Sequence, residues 1–130
     1  MKLDTNKQIG DYGEKIAVRY LRLRGYTVRE RNWRTGHMEI DIIATRFRTV
    51  AFVEVKTRTY TKETIADAPP PKTAVRSEKQ ALTRRAARQY LFEHPTQRSP
   101  RMDVIEIQLL KNSDASRPRV ASIHHIKGAY

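Results

Sequence analysis

The sequence has 130 residues and no cysteine, and its 26 lysines and arginines outnumber its 14 aspartates and glutamates. This length suits one domain with its own core, and the lack of cysteine excludes disulfide frameworks, thiolate metal sites and cysteine nucleophiles. The net charge of +12 favours a polyanionic partner, because neutralised phosphates release their counterions. We therefore expect a nucleic-acid partner, and the alternative is a merely solvated basic surface.

No segment of the chain is typical of a secreted or membrane protein. The opening residues, MKLDTNKQIG, lack the apolar core of a signal peptide, and no later run approaches the roughly 18 apolar residues of a membrane span. We expect a cytoplasmic protein without membrane contact. Because neither a repeat nor a shift in composition divides the chain, residues 1–130 are predicted to form a single domain.

The first predicted element is an amphipathic helix from Asn6 to Arg24, after which Gly25 suits a left-handed C-cap. Glu14 borders the apolar side of this helix, so we predict that it lies at the inner edge rather than in water. The residues of the apolar side, which recur at helical spacing, are Ile9, Gly13, Ile16, Ala17, Tyr20 and Leu21.

Three predicted strands follow. The first, Thr27–Asn32, is short and charged and leads into a predicted turn at Trp33–Gly36. The second and third, Met38–Thr45 and Val50–Arg58, are separated by the short polar segment Arg46–Arg48. A connection this short predicts an antiparallel hairpin.

Period-2 alternation assigns the residues of this hairpin to faces. The predicted faces of the second strand are Met38, Ile40, Ile42 and Ala44 on one side and Glu39, Asp41 and Ile43 on the other. Those of the third strand are Ala51, Val53 and Val55 on one side and Phe52, Glu54, Lys56 and Arg58 on the other.

The remaining elements complete an α/β pattern. Residues 59–75, which include three consecutive prolines, are predicted to form a mobile loop. A helix is predicted at Ser77–Glu93, followed by strands at Met102–Leu110 and Val120–Ile126 with a turn at residues 112–119. This order predicts a mixed central β-sheet flanked by α-helices.

Two carboxylates inside apolar strands, Asp41 and Glu54, are the strongest indication of chemistry. A buried carboxylate needs a partner, a metal or solvent at a cleft, and Lys56 projects from the face of Glu54 about 7 Å further along the strand. Carboxylate oxygens suit Mg²⁺, and Mn²⁺ can substitute for it. Two carboxylates, a metal and a lysine can together hydrolyse phosphodiesters. In that reaction Lys56 would activate the attacking water or stabilise the charge of the transition state. Glu14 is a further candidate ligand. The alternative is a plain buried Glu54–Lys56 ion pair.

The motifs resemble the YraN family of uncharacterised bacterial proteins, which is similar to Holliday-junction resolvases of the restriction-endonuclease-like fold. The resemblance extends from Gly10 to about Ile107, and Phe52–Arg58 is its most specific segment. Its other motifs are Gly13-Glu14, Ala17, Leu21, Gly25-Tyr26, Arg31–Arg34, Glu39–Asp41, Val75, Lys79, Ala86 and Arg101–Val104, while Met38 and Met102 replace the family's glycine and phenylalanine.

The resemblance implies a restriction-endonuclease-like single domain with a nuclease site. In that site Asp41 and Glu54 would bind a divalent metal, and Lys56 would be the catalytic lysine. Glu14 would be the helix carboxylate of the resolvase branch. Neither methionine substitution removes a functional group.

Basic side chains are candidates for phosphate contacts. Arg58 continues the face of Glu54, although an exposed arginine at a strand end explains it equally well. Lys79 starts the predicted inner face of the second helix and is expected either to snorkel or to point toward the site. That face continues through Leu82, Ala86 and Tyr90, and the outer side carries Arg84, Arg85 and Arg88.

Three histidine and aspartate residues near the chain's end are expected to be structural. Asp103 lies beside Arg101, which suggests an ion pair. The adjacent His124 and His125 point to opposite faces of a strand, so they do not readily share a metal.

Three functions remain open at this point. The first is a Mg²⁺-dependent endonuclease acting on DNA, structure-selective in the manner of a junction resolvase and plausible as a homodimer. The second is a non-catalytic basic nucleic-acid-binding protein on a nuclease-like fold. The third is a basic assembly protein in which Glu54 and Lys56 form only an internal ion pair.

Overall fold

A five-stranded sheet with the strand order β1-β2-β3-β4-β5 carries one helix on each face. The computed structural model describes residues 5–69, 77–112 and 117–130. The elements are α1 (Asn6–Leu23), β1 (Thr27–Thr35), β2 (Met38–Arg46), β3 (Thr49–Tyr60), α2 (Ser77–Glu93), β4 (Ser99–Leu110) and β5 (Arg119–Ile126). In the described part of the chain, no helix is long and apolar enough to cross a bilayer.

The sheet is mixed because one pair of strands is parallel. β1–β2, β2–β3 and β4–β5 are antiparallel, whereas β3 and β4 run parallel from Thr49–Ser99 to Tyr60–Leu110. A parallel pair needs a crossover, and α2 lies within it. The α/β fold predicted from the sequence is therefore confirmed and is consistent with a restriction-endonuclease-like architecture. The predicted antiparallel β2–β3 hairpin is confirmed as well.

Local signals account for the position of α1. Thr5 caps its N-terminus by accepting from the backbone N–H of Gln8 at 3.0 Å, and the Gln8 side chain accepts from the Thr5 N–H in return. Gly25 follows the helix with a φ of 87°, a left-handed conformation that suits glycine. The predicted bounds of the helix are thus confirmed within one residue.

Gly13 sets how closely α1 approaches the sheet. It is buried, and a Cβ at this position would overlap the Thr57 hydroxyl of β3 and come within 2.9 Å of the Thr57 Cβ. Only glycine permits this contact, which brings the neighbouring Glu14 to the edge of the sheet.

The core has two layers, one on each face of the sheet. The layer under α1 contains Ala17, Val18, Leu21, Tyr26, Ile42, Ala44, Ala51, Val53, Ile105, Ile107 and Leu109. The layer under α2 contains Ile40, Ile43, Val50, Phe52, Ala86, Ala87, Tyr90 and Met102. The predicted faces of the third strand are confirmed, since Ala51 and Val53 face α1 while Phe52 faces α2.

The predicted alternation of the second strand is wrong at one point. Ile40 packs under α2, whereas Ile42 packs under α1, so β2 changes face at Asp41. In β1, Asn32 lies between the residues paired with Ile40 and Ile42, and its φ of 51° breaks the regular pleat there. Strict alternation cannot detect such an irregularity.

Two further predictions are wrong. Trp33 is a strand residue and not part of a turn, because β1 continues to Thr35; it packs edge-on against Tyr90 with ring centroids 5.2 Å apart. Leu82 is 47% exposed rather than part of the inner face of α2. There the buried positions are Ala86, Ala87 and Tyr90.

The predicted loop and turn lie only partly within the described residues. β3 includes Thr59 and Tyr60, and a short 3-10 turn occupies Ile65–Asp67. Residues 70–76 of the predicted mobile loop and residues 113–116 of the predicted turn lie outside the described residues.

Candidate active site

Asp41 is held at the point where β2 and β3 stop pairing. The ladder runs from Arg46–Thr49 to Ile42–Val53. Beyond it, Asp41 Oδ2 accepts a hydrogen bond from the backbone N–H of Val55 at 2.8 Å. The carboxylate thus takes the place of the next backbone hydrogen bond, and it lies beside the residue that follows Glu54.

Glu54 projects from β3 toward α2, where its Oε1 accepts a hydrogen bond from the Lys79 ammonium. The Glu54 side chain is only 12% exposed, whereas that of Lys79 is 58% exposed. Within the described part of the chain, Glu54 Oε2 is buried and has no hydrogen-bond partner. Lys79 of α2 is therefore an ion-pair partner of Glu54.

Glu14 and Glu39 converge on one amide. With the Asn32 nitrogen directed at the carboxylates, it donates to Glu14 Oε1 at 2.8 Å and to Glu39 Oε1 at 3.0 Å. Glu39 also forms a 3.0 Å ion pair with Arg34 at the surface. Asn32 thereby links the carboxylate of α1 to the start of β2.

The close carboxylates shift one another's proton affinity. Burial, and then the charge of Asp41, raise the pKa of Glu14 to about 7, and Arg31 offsets only part of this. Burial also raises the pKa of Asp41, with the Val55 hydrogen bond opposing and the charge of Glu54 adding to the rise. Such perturbed groups in a cleft are typical of functional sites.

A cleft of about 540 Å³ opens beside these groups. Asp41, Glu39 and Met38 of β2 form one wall, and Lys79 of α2 lies on the other. The remaining lining residues are His37, Glu78, Leu82 and Thr83. Of the carboxylates described above, Asp41 and Glu39 line the cleft.

Lys56 and Arg58 continue the face of Glu54 along β3. Glu106 of β4 lies opposite Lys56 in the parallel register and is 3% exposed. Its Oε1 accepts from Arg58 Nε at 2.9 Å, while its Oε2 is buried without a partner among the described residues. Arg58, predicted to contact phosphate, is therefore ion-paired within the protein, although its side chain is 49% exposed.

The three arginines of α2 do not line this cleft. Arg84 and Arg88 line a second concavity of about 400 Å³ together with Arg101 and Met102. The Arg84 guanidinium lies 5.4 Å from the centre of the Tyr130 ring, which also lines that concavity. Arg85 is exposed. The predicted site residues thus include a cleft group, in which Asp41 and Lys79 line the cleft and Glu54 and Glu14 interact with them, and a basic surface along α2. Lys56 and Arg58 lie further along β3.

The sequence interpretation missed two polar residues that contact predicted site residues. Glu106 stands in the apolar segment Ile105-Glu106-Ile107, the same signal that pointed to Asp41 and Glu54, and it could have been found that way. Asn32 gave no such signal, because its role depends on its positive φ and on Glu14 and Glu39 approaching from other elements.

The expected structural role of Asp103 is confirmed by its contacts. This fully buried carboxylate accepts from Arg101 at 2.7 and 2.8 Å and from the Gly128 N–H at 3.0 Å, and it lies 2.8 Å from His125 Nε2. Asp103 and His125 therefore join β4 to β5 at one end of the sheet, and neither residue lines the cleft.

The carboxylates of Asp41 and Glu54 are of the donor type that a divalent metal takes. Asp41 and Glu54 offer hard carboxylate oxygens, and Oε2 of Glu54 has no competing hydrogen bond within the described residues. Across the described ranges, no three histidine or acidic side chains form a closed metal-binding group. Mg²⁺ suits such an incomplete set, because it commonly takes one or two carboxylates and completes its shell with water and substrate phosphate.

Sequence comparisons relate the chain to one family. The model of the uncharacterised protein family UPF0102 matches residues 13–107. A UPF0102 protein of Alkaliphilus oremlandii is 38% identical over 96% of this chain and 99% of the relative. Those of Myxococcus xanthus and Caldanaerobacter subterraneus subsp. tengcongensis are 37% and 34% identical, covering 95% and 100% of this chain and 90% and 100% of the relatives.

Proposed function

The chain belongs to the uncharacterised protein family UPF0102, the YraN family that its motifs resemble, and from this premise we propose that it is a Mg²⁺-dependent DNA endonuclease. The observation that carries the proposal is the partly buried pair of carboxylates, Asp41 and Glu54, beside an open cleft that Asp41 lines. The raised pKa of Asp41 and the buried Oε2 of Glu54, which has no hydrogen-bond partner among the described residues, mean that a bound divalent cation would stabilise both carboxylates.

A divalent metal bound by Asp41 and Glu54 would lower the pKa of an attacking water and offset charge on the phosphate. The chain's own residues supply the rest. The Val55 N–H fixes the orientation of Asp41, and Glu14 approaches the same carboxylate closely enough to raise its own pKa. Lys56, on the face of Glu54, would orient the attacking water or stabilise the developing charge.

The basic residues support DNA as the substrate. A chain with a net charge of +12 attracts the phosphate backbone. Arg84, Arg85 and Arg88 extend from α2 beyond the cleft and are proposed to hold the flanking backbone. Backbone contacts carry no sequence information, so we propose selection by DNA structure, such as a junction.

The test is cleavage of a four-way junction, a flap, a duplex and a single strand that share one sequence, with Mg²⁺ or Mn²⁺. The parent should cut a branched substrate, and Asp41→Asn, Glu54→Gln and Lys56→Met should each lose roughly 100-fold or more in rate. Cleavage by all three variants at the parent's rate would contradict the proposal.

Binding without cleavage under every condition would favour the non-catalytic nucleic-acid binder. In that case Asp41→Asn should bind DNA as tightly as the parent or more tightly, because a negative charge near the backbone is removed. Binding constants of the parent and Asp41→Asn for DNA, measured over a range of salt concentrations, test this comparison.

We further propose that a homodimer acts on junctions, since resolution requires two symmetric incisions. Sedimentation with and without a junction tests this. A complex containing one chain for each junction would contradict it.

A further inference from the structure

We propose that the Lys79 ammonium is a resident counterion of the metal site, which a divalent metal must displace from Glu54 in order to bind. This inference deepens the proposed function and rests on it. Lys79 of α2 contacts the Glu54 carboxylate directly.

The geometry places this cation where a metal is needed. The Lys79 ammonium donates to Glu54 Oε1 and acts electrostatically on Asp41 as well. It therefore lies within the field of both carboxylates that are proposed to bind the metal. Two cations cannot share one carboxylate pair at close range without repulsion.

The two partners differ in their freedom to move. Glu54 is fixed on a central strand with its side chain 12% exposed, whereas Lys79 is 58% exposed at the mouth of the cleft. A lysine has a flexible four-carbon stem and a strongly hydrated ammonium. Lys79 can therefore leave toward solvent, while Glu54 remains in place.

One ammonium does not satisfy the site. Lys79 donates to one oxygen of Glu54, whereas the other, Oε2, has no hydrogen-bond partner among the described residues, and the charge of Glu54 still acts to raise the pKa of Asp41. A divalent ion offers twice the charge and takes several oxygens at once. Lys79 already lines the cleft, so once displaced from Glu54 it can contact a substrate phosphate there.

The test is calorimetric titration of Mn²⁺, without DNA, into the parent and three variants. Lys79→Met removes the competing charge, and Lys79→Arg retains it. Lys111→Met is the control for overall charge. Lys111 follows β4 and its backbone N–H donates to Tyr60 at the end of β3, roughly 20 Å along the strand from Glu54. We expect Lys79→Met to bind Mn²⁺ about three- to tenfold more tightly than the parent, as for an exposed ion pair, with the other two variants close to the parent.

Each outcome decides. Tighter binding by Lys79→Met alone, or binding by that variant when the parent binds none, supports the inference. Equal or weaker binding by Lys79→Met overturns it but leaves the metal site standing. An equal gain in Lys111→Met overturns it as well, because the effect would then be general charge repulsion. Binding by none of the four proteins overturns both the inference and the proposed function.

Discussion

The carboxylate of Asp41 accepts a hydrogen bond from the backbone N–H of Val55 at 2.8 Å, at the point where β2 and β3 cease to pair. This contact anchors one carboxylate beside Glu54 without using a charged partner. An asparagine can accept the same bond, so substitution at Asp41 separates charge from backbone geometry.

Asp41→Asn should abolish metal-dependent stabilisation. With Mn²⁺ at ten times its Kd, the parent should gain about 1.4 kcal/mol, or about 5 °C in Tm, and the variant should gain nothing. Without metal, the variant should melt above the parent, because burial raises the pKa of Asp41 and its charged form destabilises the fold at neutral pH.

The control for that experiment is Asp67→Asn, which removes the same charge from an exposed residue after β3. This variant should keep the parent's response to Mn²⁺. A metal-dependent rise in Asp41→Asn equal to that of the parent would show that the metal binds elsewhere.

Gly13→Ala should destabilise the protein by about 1–3 kcal/mol, because the new methyl group overlaps Thr57 and forces α1 away from β3. Gly10→Ala is the matched control in the same helix, since a Cβ there meets no atom within 4 Å. It should stabilise by up to about 1 kcal/mol through helix propensity. Urea unfolding measures both, and shifts of the same sign would contradict the packing argument.

Glu14→Gln should stabilise the metal-free protein at pH 8 and have little effect at pH 4.5. The carboxyl has a pKa of about 7 in the folded state against an ordinary 4.5. The folded state therefore binds more protons between these values, and stability falls as the pH rises through them. After discounting for partial exposure, we expect about 1 kcal/mol at pH 8.

Thermal melts in a chelating buffer across this pH range test the prediction. Glu93→Gln, at the exposed C-terminal end of α2, is the control and should show no such trend. A constant difference between the parent and Glu14→Gln from pH 4.5 to pH 8 would contradict the raised pKa.

Asp103→Asn should cost about 3 kcal/mol at pH 7, because Arg101 loses its buried ionic partner. Burial alone would raise the pKa of Asp103, but hydrogen bonds from His125, Arg101 and the Gly128 N–H outweigh burial and lower it. The stabilisation is thus present above the ordinary value of 3.8 and is lost as the pH falls through the lower folded pKa.

The loss is measured by urea unfolding of the parent and Asp103→Asn, at pH 7 and again at pH 3 and below. The difference in unfolding free energy should shrink with acid. If the two proteins have the same stability at pH 7, the buried network does not contribute as the contacts indicate.

Local chemistry made most elements predictable. The capping residues Thr5 and Gln8 and the glycine at position 25 bound α1, and alternation along Val50–Arg58 assigned Val53 and Phe52 to opposite layers. The carboxylates Asp41 and Glu54 stood out because charges are costly inside apolar strands. These signals each depend on residues close in sequence.

Such local signals could not predict the contacts between residues that are far apart in the sequence. The parallel register that sets Glu106 beside Lys56, the pairing of Lys79 with Glu54 and the Asn32 bridge between Glu14 and Glu39 each join separate elements. The sequence by itself determined the order and type of the helices and strands and singled out two carboxylates inside apolar strands, because periodicity and burial cost are local properties. Only the tertiary structure decided which charges meet, because packing of α1 and α2 on opposite faces of the sheet sets those distances.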